Sequence, residues 1–195
     1  MASNKIGVIG SGQVAQVLAS GFLNYGYEVM VGTSNTAKLT DWKSKNAKGQ
    51  VGSFEEAASF GEVLVLAVKG AAAVAVITSI ASKLAGKIVV DTTNPIAEAP
   101  PANGVLKYFT TLEDSLMERL QKVAPQAKFV KAFNCVGNSF MVNPSFPGEK
   151  PTMFICGNDN EAKKAVTTIL DQFGWETADF GLVESARAIE PLCML

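Results

Sequence analysis

Histidine is absent from the chain, which removes the commonest proton shuttle of alcohol and hydroxy-acid dehydrogenases. Cysteine is scarce. Cys135, Cys156 and Cys193 are odd in number and far apart, so neither a complete disulfide framework nor a metal-ligand pair suggests itself, and a reducing cytoplasm is the expected location. Excess charge of one sign is lacking too, with 17 basic and 18 acidic residues; nucleic acid and anionic membranes are therefore not expected partners. The longest apolar candidate for a membrane span, 63–81, is split by Lys69 and Gly70, and no bilayer crossing is expected. The start, MASNKIGVIG, runs straight into a strand-like segment without the apolar core and cleavage site of a secretory leader, so no export is expected. Internal repeats, low-complexity tracts and flexible linkers are likewise missing.

What is present is an alternation of short apolar runs with helix-like segments. KIGVI (5–9) is followed by a stripe of Val14, Leu18 and Phe22 and then by EVMVG (28–32), the strand, helix, strand order of a right-handed βαβ unit. VLVLAV (63–68) and KIVVD (87–91), with an alanine-rich helix over 71–85 between them, read as strands buried on both faces. Residues 92–110 carry three prolines and a glycine and predict an irregular excursion. A helix is predicted from about Leu112 to Val123, opened by Thr110 or Thr111 and striped by Leu112, Leu116 and Leu120. FVKAFN (129–134) and TMFICG (152–157) predict further strands, and Asn158 or Asp159 caps a helix through Phe173, closed by Gly174. The tail ESARAIEPLCML reads as helical until Pro191. The fold class that follows is α/β: a Rossmann-type doubly wound, mostly parallel sheet with helices on both faces. It forms a single domain over 1–195, whose C-terminal part, about 128–195, completes the sheet and an acceptor cleft.

IGVIGSGQVAQVLA supplies Gly10, Gly12 and Ala15 in a G-x-G-x-x-A spacing, directly after a strand and opening a helix. Gly10 permits the tight turn, Gly12 lets backbone approach a pyrophosphate, and Ala15 lets the helix pack closely on the strand. The free amides at the helix start then face the phosphates. About 20 residues further on, such sites often place an acid that binds the adenosine ribose; here the matching position is Thr33, within VGTSNTAK. A carboxylate would repel a 2′-phosphate, whereas Thr33 and Ser34 donate hydroxyls, Asn35 an amide and Lys38 a cation. NADP is therefore expected over NAD. The competing reading of the same residues is a surface turn whose polar groups cap the next helix.

Read together with DTTNP at 91–95 and FVKAFN at 129–134, these motifs make the chain resemble the NADP oxidoreductase family that includes the coenzyme F420-dependent NADP reductases. The resemblance runs from Lys5 to Pro191. The chain is also similar to the cytosolic NADPH-binding domain of the six-transmembrane metalloreductases, without their spans. By that resemblance, Ser11, Gly12, Gln13 and Val14 would hold the pyrophosphate, and Thr33, Ser34 and Lys38 the 2′-phosphate. Family members often carry arginine in this turn, where Ser34 and Asn35 stand here. Ala67, Val68, Lys69, Asn94 and Pro95 would line the route to the nicotinamide. Ala132 would border the nicotinamide, and Asn134, Cys135 and Val136 the acceptor.

Without histidine, hydride exchange between the nicotinamide of NADP(H) and a ring such as coenzyme F420, FMN or FAD fits better than carbonyl reduction. It needs two rings held close in a largely apolar cleft and no catalytic side chain. Lys69, Lys131, Tyr108 and Cys135 are the side chains that a proton- or thiol-dependent mechanism would have to recruit. Two other functions compete: a small imine or carbonyl reductase of the pyrroline-carboxylate reductase type, and a non-catalytic NADPH-binding or redox-sensing module. The expected partner is a small-molecule redox acceptor. The apolar tail IEPLCML calls for a covered surface, in a homodimer or against the chain's own core.

Overall fold

Alternation along each apolar run decides which side of the sheet a residue faces. In β1 (Lys5–Ile9), Ile6 and Val8 enter one core while Ile9 enters another. The computed structural model describes residues 4–194; Met1, Ala2 and Ser3, where the chain was read for a leader, and Leu195 of the apolar tail lie outside the described residues. After β1 come α1 (Gln13–Asn24), β2 (Glu28–Gly32), α2 (Thr40–Lys45), β3 (Gln50–Gly52), α3 (Phe54–Phe60), β4 (Val63–Leu66) and α4 (Gly70–Ile80). The second half adds β5 (Ile88–Asp91), α5 (Leu116–Val123), β6 (Lys128–Lys131), β7 (Thr152–Ile155), α6 (Asn160–Gln172), β8 (Glu176–Asp179) and α7 (Ala186–Ile189).

The first six strands form one parallel sheet in the order β3-β2-β1-β4-β5-β6, the doubly wound arrangement whose order reverses between β1 and β4. Core residues of α1 and α6, including Leu18, Phe22, Val166 and Leu170, cover one face. Those of α3, α4, α5 and α7, including Ala57, Ile77, Leu120 and Ile189, cover the other. Each fully buried Phe or Leu of this kind contributes about 1.5–3 kcal/mol by leaving water. Gly7 lets α3 approach closely, because a Cβ there would collide with the Ala57 carbonyl.

Several sequence expectations need correction. β7 does not extend the main sheet; it pairs with β8 in a separate two-stranded parallel sheet, joined to β6 by an antiparallel bridge between Lys131 and Cys156. The strands expected at 63–68, 129–134 and 152–157 end earlier, at Leu66, Lys131 and Ile155. α5 begins at Leu116, not Leu112, because Ser115 and Glu118 form a reciprocal capping box that satisfies two of its first amides. Leu112 is consequently 82% exposed. The tail does not stop at Pro191; α7 gives way to a 3₁₀ turn over Glu190–Met194, whose first turn needs no amide from proline.

Candidate functional site

The glycine loop leaves β1 at the point where strand order reverses. Gly10 adopts φ +138°, and a Cβ there would collide with the Ala67 carbonyl beyond β4; its amide donates to Gly32 O at 2.9 Å. Gly12 stands at the start of α1 with no side-chain cap and no acid in the first turn, and a Cβ there would meet nothing within 4 Å. The loop thus presents uncapped amides to open space, with the partial positive charge of a helix start behind them. Ser11 is half-buried, and its carbonyl accepts from Gln16 Nε2 at 3.0 Å. Ala15 is fully buried beneath the loop.

A cleft of about 640 Å³ opens from this loop across the C-terminal edge of the sheet. Gly12, Gln13, Val14, Ala67, Val68, Lys69 and Asn94 all line it. Residues without a prior assignment complete it: Gly70 and Ala71 at the start of α4, Thr92 and Thr93 after β5, Ile96, Ala97 and Glu98 from the excursion, and Asn138. Lys69-Gly70-Ala71 follows a strand and opens a helix, the same signal as the glycine loop, and could have been read. Asn138 carries no local signal, because tertiary folding alone brings it across. Among the described residues, the titratable side chains on the cleft wall are Lys69 and Glu98.

The turn after β2 is built by its own polar groups. Thr33 is buried; its Oγ1 donates to Asn35 O at 3.2 Å and accepts from Asn35 N at 3.1 Å. Asn35 Oδ1 caps the following 3₁₀ turn by accepting from Ala37 N at 3.1 Å. The helix-capping role is therefore real for Asn35, leaving its amide NH₂ free. Ser34 and Lys38 are exposed.

None of Thr33, Ser34, Asn35 and Lys38 lines the cleft itself. The opposite end of the sheet's C-terminal edge, after β5 and β6, is locked by buried polar groups. Lys131 is completely buried, with its Nζ 2.7 Å from Asp91 Oδ2, 3.0 Å from Glu190 Oε1 and 2.8 Å from Thr93 O. Burial by itself would lower its pKa, but Asp91 and then Glu190 outweigh burial and raise it. Asp91 Oδ1 accepts from Thr93 N and Oγ1 at 2.9 and 2.7 Å. Glu190 also accepts from the amides of Leu116 and Met117, both at 3.0 Å, and so caps α5. Lys131 is thus a structural cation under the cleft floor and has no open face toward a substrate.

Other candidates divide similarly. Ala132 and Asn134 are buried and do not line the cleft, while Cys135 and Val136 are partly buried and packed on the core. Pro95 faces a separate cavity of about 150 Å³ on the far side of the Asn94–Ile96 wall. Tyr108 Oη meets Cys193 Sγ at 3.1 Å and Pro191 O at 3.3 Å, and burial drives its pKa well up. Burial also raises the thiol pKa of Cys135, and pushes that of Cys156 up to about 12, so both stay protonated and poorly nucleophilic near neutrality.

Comparison with known proteins places the chain in a family. Residues 5–95 match the family described as NADP oxidoreductase coenzyme F420-dependent. Metalloreductase STEAP3 of Rattus norvegicus is 32% identical over 188 residues, 96% of this chain and 36% of that protein. The F420-dependent NADP reductase of Methanocaldococcus jannaschii is 31% identical over 142 residues, 72% of this chain and 63% of that protein. The chain therefore spans about a third of the first relative and under two thirds of the second. A crystal structure from Arthrobacter sp. FB24, provisionally named an F420-dependent NADP-reductase, superposes with a TM-score of 0.90 at 32% identity, covering 97% of this chain and 90% of that one.

Proposed function

The chain belongs to the coenzyme F420-dependent NADP oxidoreductase family, and from that premise we propose that it binds NADP(H) along the C-terminal edge of its sheet and passes a hydride between the nicotinamide and a flavin or deazaflavin ring. The observation that carries the reading is the Gly12 cradle: uncapped amides of α1, free of any acid in the first turn, open onto the same cleft as the ends of β4 and β5. A pyrophosphate fits that donor set, since backbone amides at a helix start bind negative charge without basic side chains.

Gly10, Ser11, Gly12, Gln13 and Val14 would hold the pyrophosphate, and Ser34 and Lys38, with the free amide of Asn35, the adenosine 2′-phosphate, on a turn that Thr33 braces through its bonds to Asn35. No carboxylate stands in that turn to repel the phosphate. Ala67, Val68, Lys69 and Asn94 would flank the nicotinamide, with Pro95 and Ala132 supporting the wall from behind, and Asn134, Cys135 and Val136 would shape the acceptor end. The nicotinamide supplies the hydride chemistry when bound. The chain's own contribution is to fix the cofactor and to keep water from the ring with the apolar surfaces of Val14, Ala67, Val68 and Ile96.

The test is a titration of the protein with NADPH and NADH, followed by addition of FMN, FAD or coenzyme F420 while nicotinamide absorbance is monitored. We expect tighter binding of NADPH and oxidation by at least one ring acceptor. Equal affinity for the two nucleotides would remove the 2′-phosphate site, and tight NADPH binding without oxidation by any ring would reduce the protein to a nucleotide-binding module.

A further inference from the structure

We propose that Asn134 is a positioning residue: it ties the C-terminal segment 186–194 to Asn94 on the cleft wall, so that the tail forms part of the architecture that aligns the nicotinamide. This rests on the hydride-transfer reading above. Asn134 Nδ2 donates to Asn94 Oδ1 at 3.1 Å and to Ile189 O at 2.9 Å, and Asn94 Nδ2 donates back to Asn134 O at 2.9 Å. Of these three residues, Asn94 alone lines the cleft. From the other side, the Asn94 carbonyl packs against the start of α4 so closely that a Cβ on Gly70 would collide with it. The wall residue is therefore held between α4 and the tail.

Two features separate this arrangement from ordinary core packing. Asn134 is 4% exposed, and its Oδ1 is buried without a hydrogen-bond partner among the described residues. Asn94 Oδ1 and Ile189 O are both acceptors, so only the NH₂ side of the Asn134 amide can face them. An apolar side chain would fill the space without leaving an acceptor unpaired. What the amide uniquely supplies here is the pair of donated bonds. The second feature is Phe133, which is buried and adopts φ +63°, a left-handed conformation that a bulky residue holds only where its surroundings impose it. That bend lies immediately before Asn134, where the chain turns out of β6 toward Asn94. Strain and an unpaired acceptor thus fall on adjacent residues of this connection between tail and wall.

The experiment compares Asn134→Ala and the milder Asn134→Ser with Leu170→Ala, a core truncation in α6 remote from the cleft. Three quantities are measured on each full-length, NADPH-loaded protein: the Kd for NADPH by nicotinamide fluorescence, single-turnover hydride transfer to FMN and to coenzyme F420, and deuterium exchange of the segments 92–98 and 186–194. Both Asn134 variants are expected to slow transfer by roughly tenfold or more, as misplacement of a reacting group does, while Kd changes by less than about threefold because the phosphate-binding end is untouched. Exchange should rise in both segments together, by about tenfold, in the Asn134 variants and not in Leu170→Ala. Unchanged exchange at 92–98, or a rate loss matched by Leu170→Ala, would overturn the proposal. A wild-type protein that reduces neither acceptor defeats the functional reading instead, and the exchange comparison then decides the positioning role by itself.

Discussion

The two ends of the sheet's C-terminal edge, which flank the cleft, are built on opposite plans. At the open end, the turn after β2, residues 34–38 are all exposed, and only Thr33 is buried. At the other end Asp91, Thr93, Lys131, Asn134 and Glu190 are each at most 4% exposed and hydrogen-bonded to one another or to backbone. Under the proposed function, the difference follows from what each end would have to do. Recognition of a phosphate tolerates water and mobile side chains, because charge acts over several ångströms even when screened. Alignment of two rings for hydride transfer loses rate with each ångström of slack.

The largest effect should come from breaking the locked end at its cation. Lys131→Met leaves Asp91 and Glu190 buried without their counter-charge, and losing one partner of a buried pair costs about 3–5 kcal/mol. The urea midpoint should fall accordingly, and the ratio of NADPH to NADH affinity in the remaining folded protein should stay as it was. A loss of unfolding free energy below about 1 kcal/mol would mean that the cluster is not what holds the tail.

A second, smaller break concerns the outer anchor of the same tail. Arg187 on α7 reaches Glu118 in the α5 capping box with Nε–Oε2 and Nη2–Oε1 distances of 2.9 and 2.6 Å. The Arg187 hydrogen bond is the main cause that holds the Glu118 carboxyl down to about 2, against burial and with help from Ser115. Because the folded value lies below the ordinary 4.5, the stabilisation is complete above the unfolded pKa and is lost as pH falls from about 4.5 through about 2. Arg187→Met should lower the urea midpoint near neutrality, by less than Lys131→Met does, because the guanidinium is partly exposed. Unfolding curves of the two proteins should converge as the pH approaches 2.

These differences also decide how much could be read from sequence. The glycine loop, strands β1, β2, β4 and β5 and the helices α1, α4 and α6 announce themselves through local patterns, namely apolar runs, helical stripes, caps and Gly174. The exposed turn at 33–38 is legible because its chemistry is carried by consecutive residues. β3, α2, α3 and β8 are only three to seven residues long and hold too little of either period to be distinguished. The start of α5 was obscured because Thr111 and Ser115 both offer hydroxyl caps; the local Ser115–Glu118 capping box sets it, and contacts of Glu190 and Arg187 reinforce it. The locked end was legible as motifs, DTTNP and FVKAFN, but not as a network. Lys131 meets Glu190 from 59 positions earlier in the chain, and nothing local to either residue records that meeting.

The smallest expected effect tests the open end. Lys38 lies in a single exposed turn, and its side chain makes no ion pair among the described residues. Lys38→Glu should therefore leave unfolding free energy within about 0.5 kcal/mol of wild type. If Lys38 meets the 2′-phosphate, the reversed charge should weaken NADPH by about 1.5 kcal/mol, roughly tenfold in Kd, with NADH unaffected. The loss should shrink as salt is raised from about 0.05 to 0.5 M, because an exposed pair is screened within a Debye length. Equal weakening of both nucleotides would place Lys38 near the shared pyrophosphate, and no weakening of either would leave Ser34 and Asn35 to discriminate with neutral donors alone. The salt series separates these outcomes: a charge contact confined to the 2′-phosphate makes the NADPH to NADH affinity ratio of the wild type fall with ionic strength, whereas recognition by hydroxyls leaves that ratio flat.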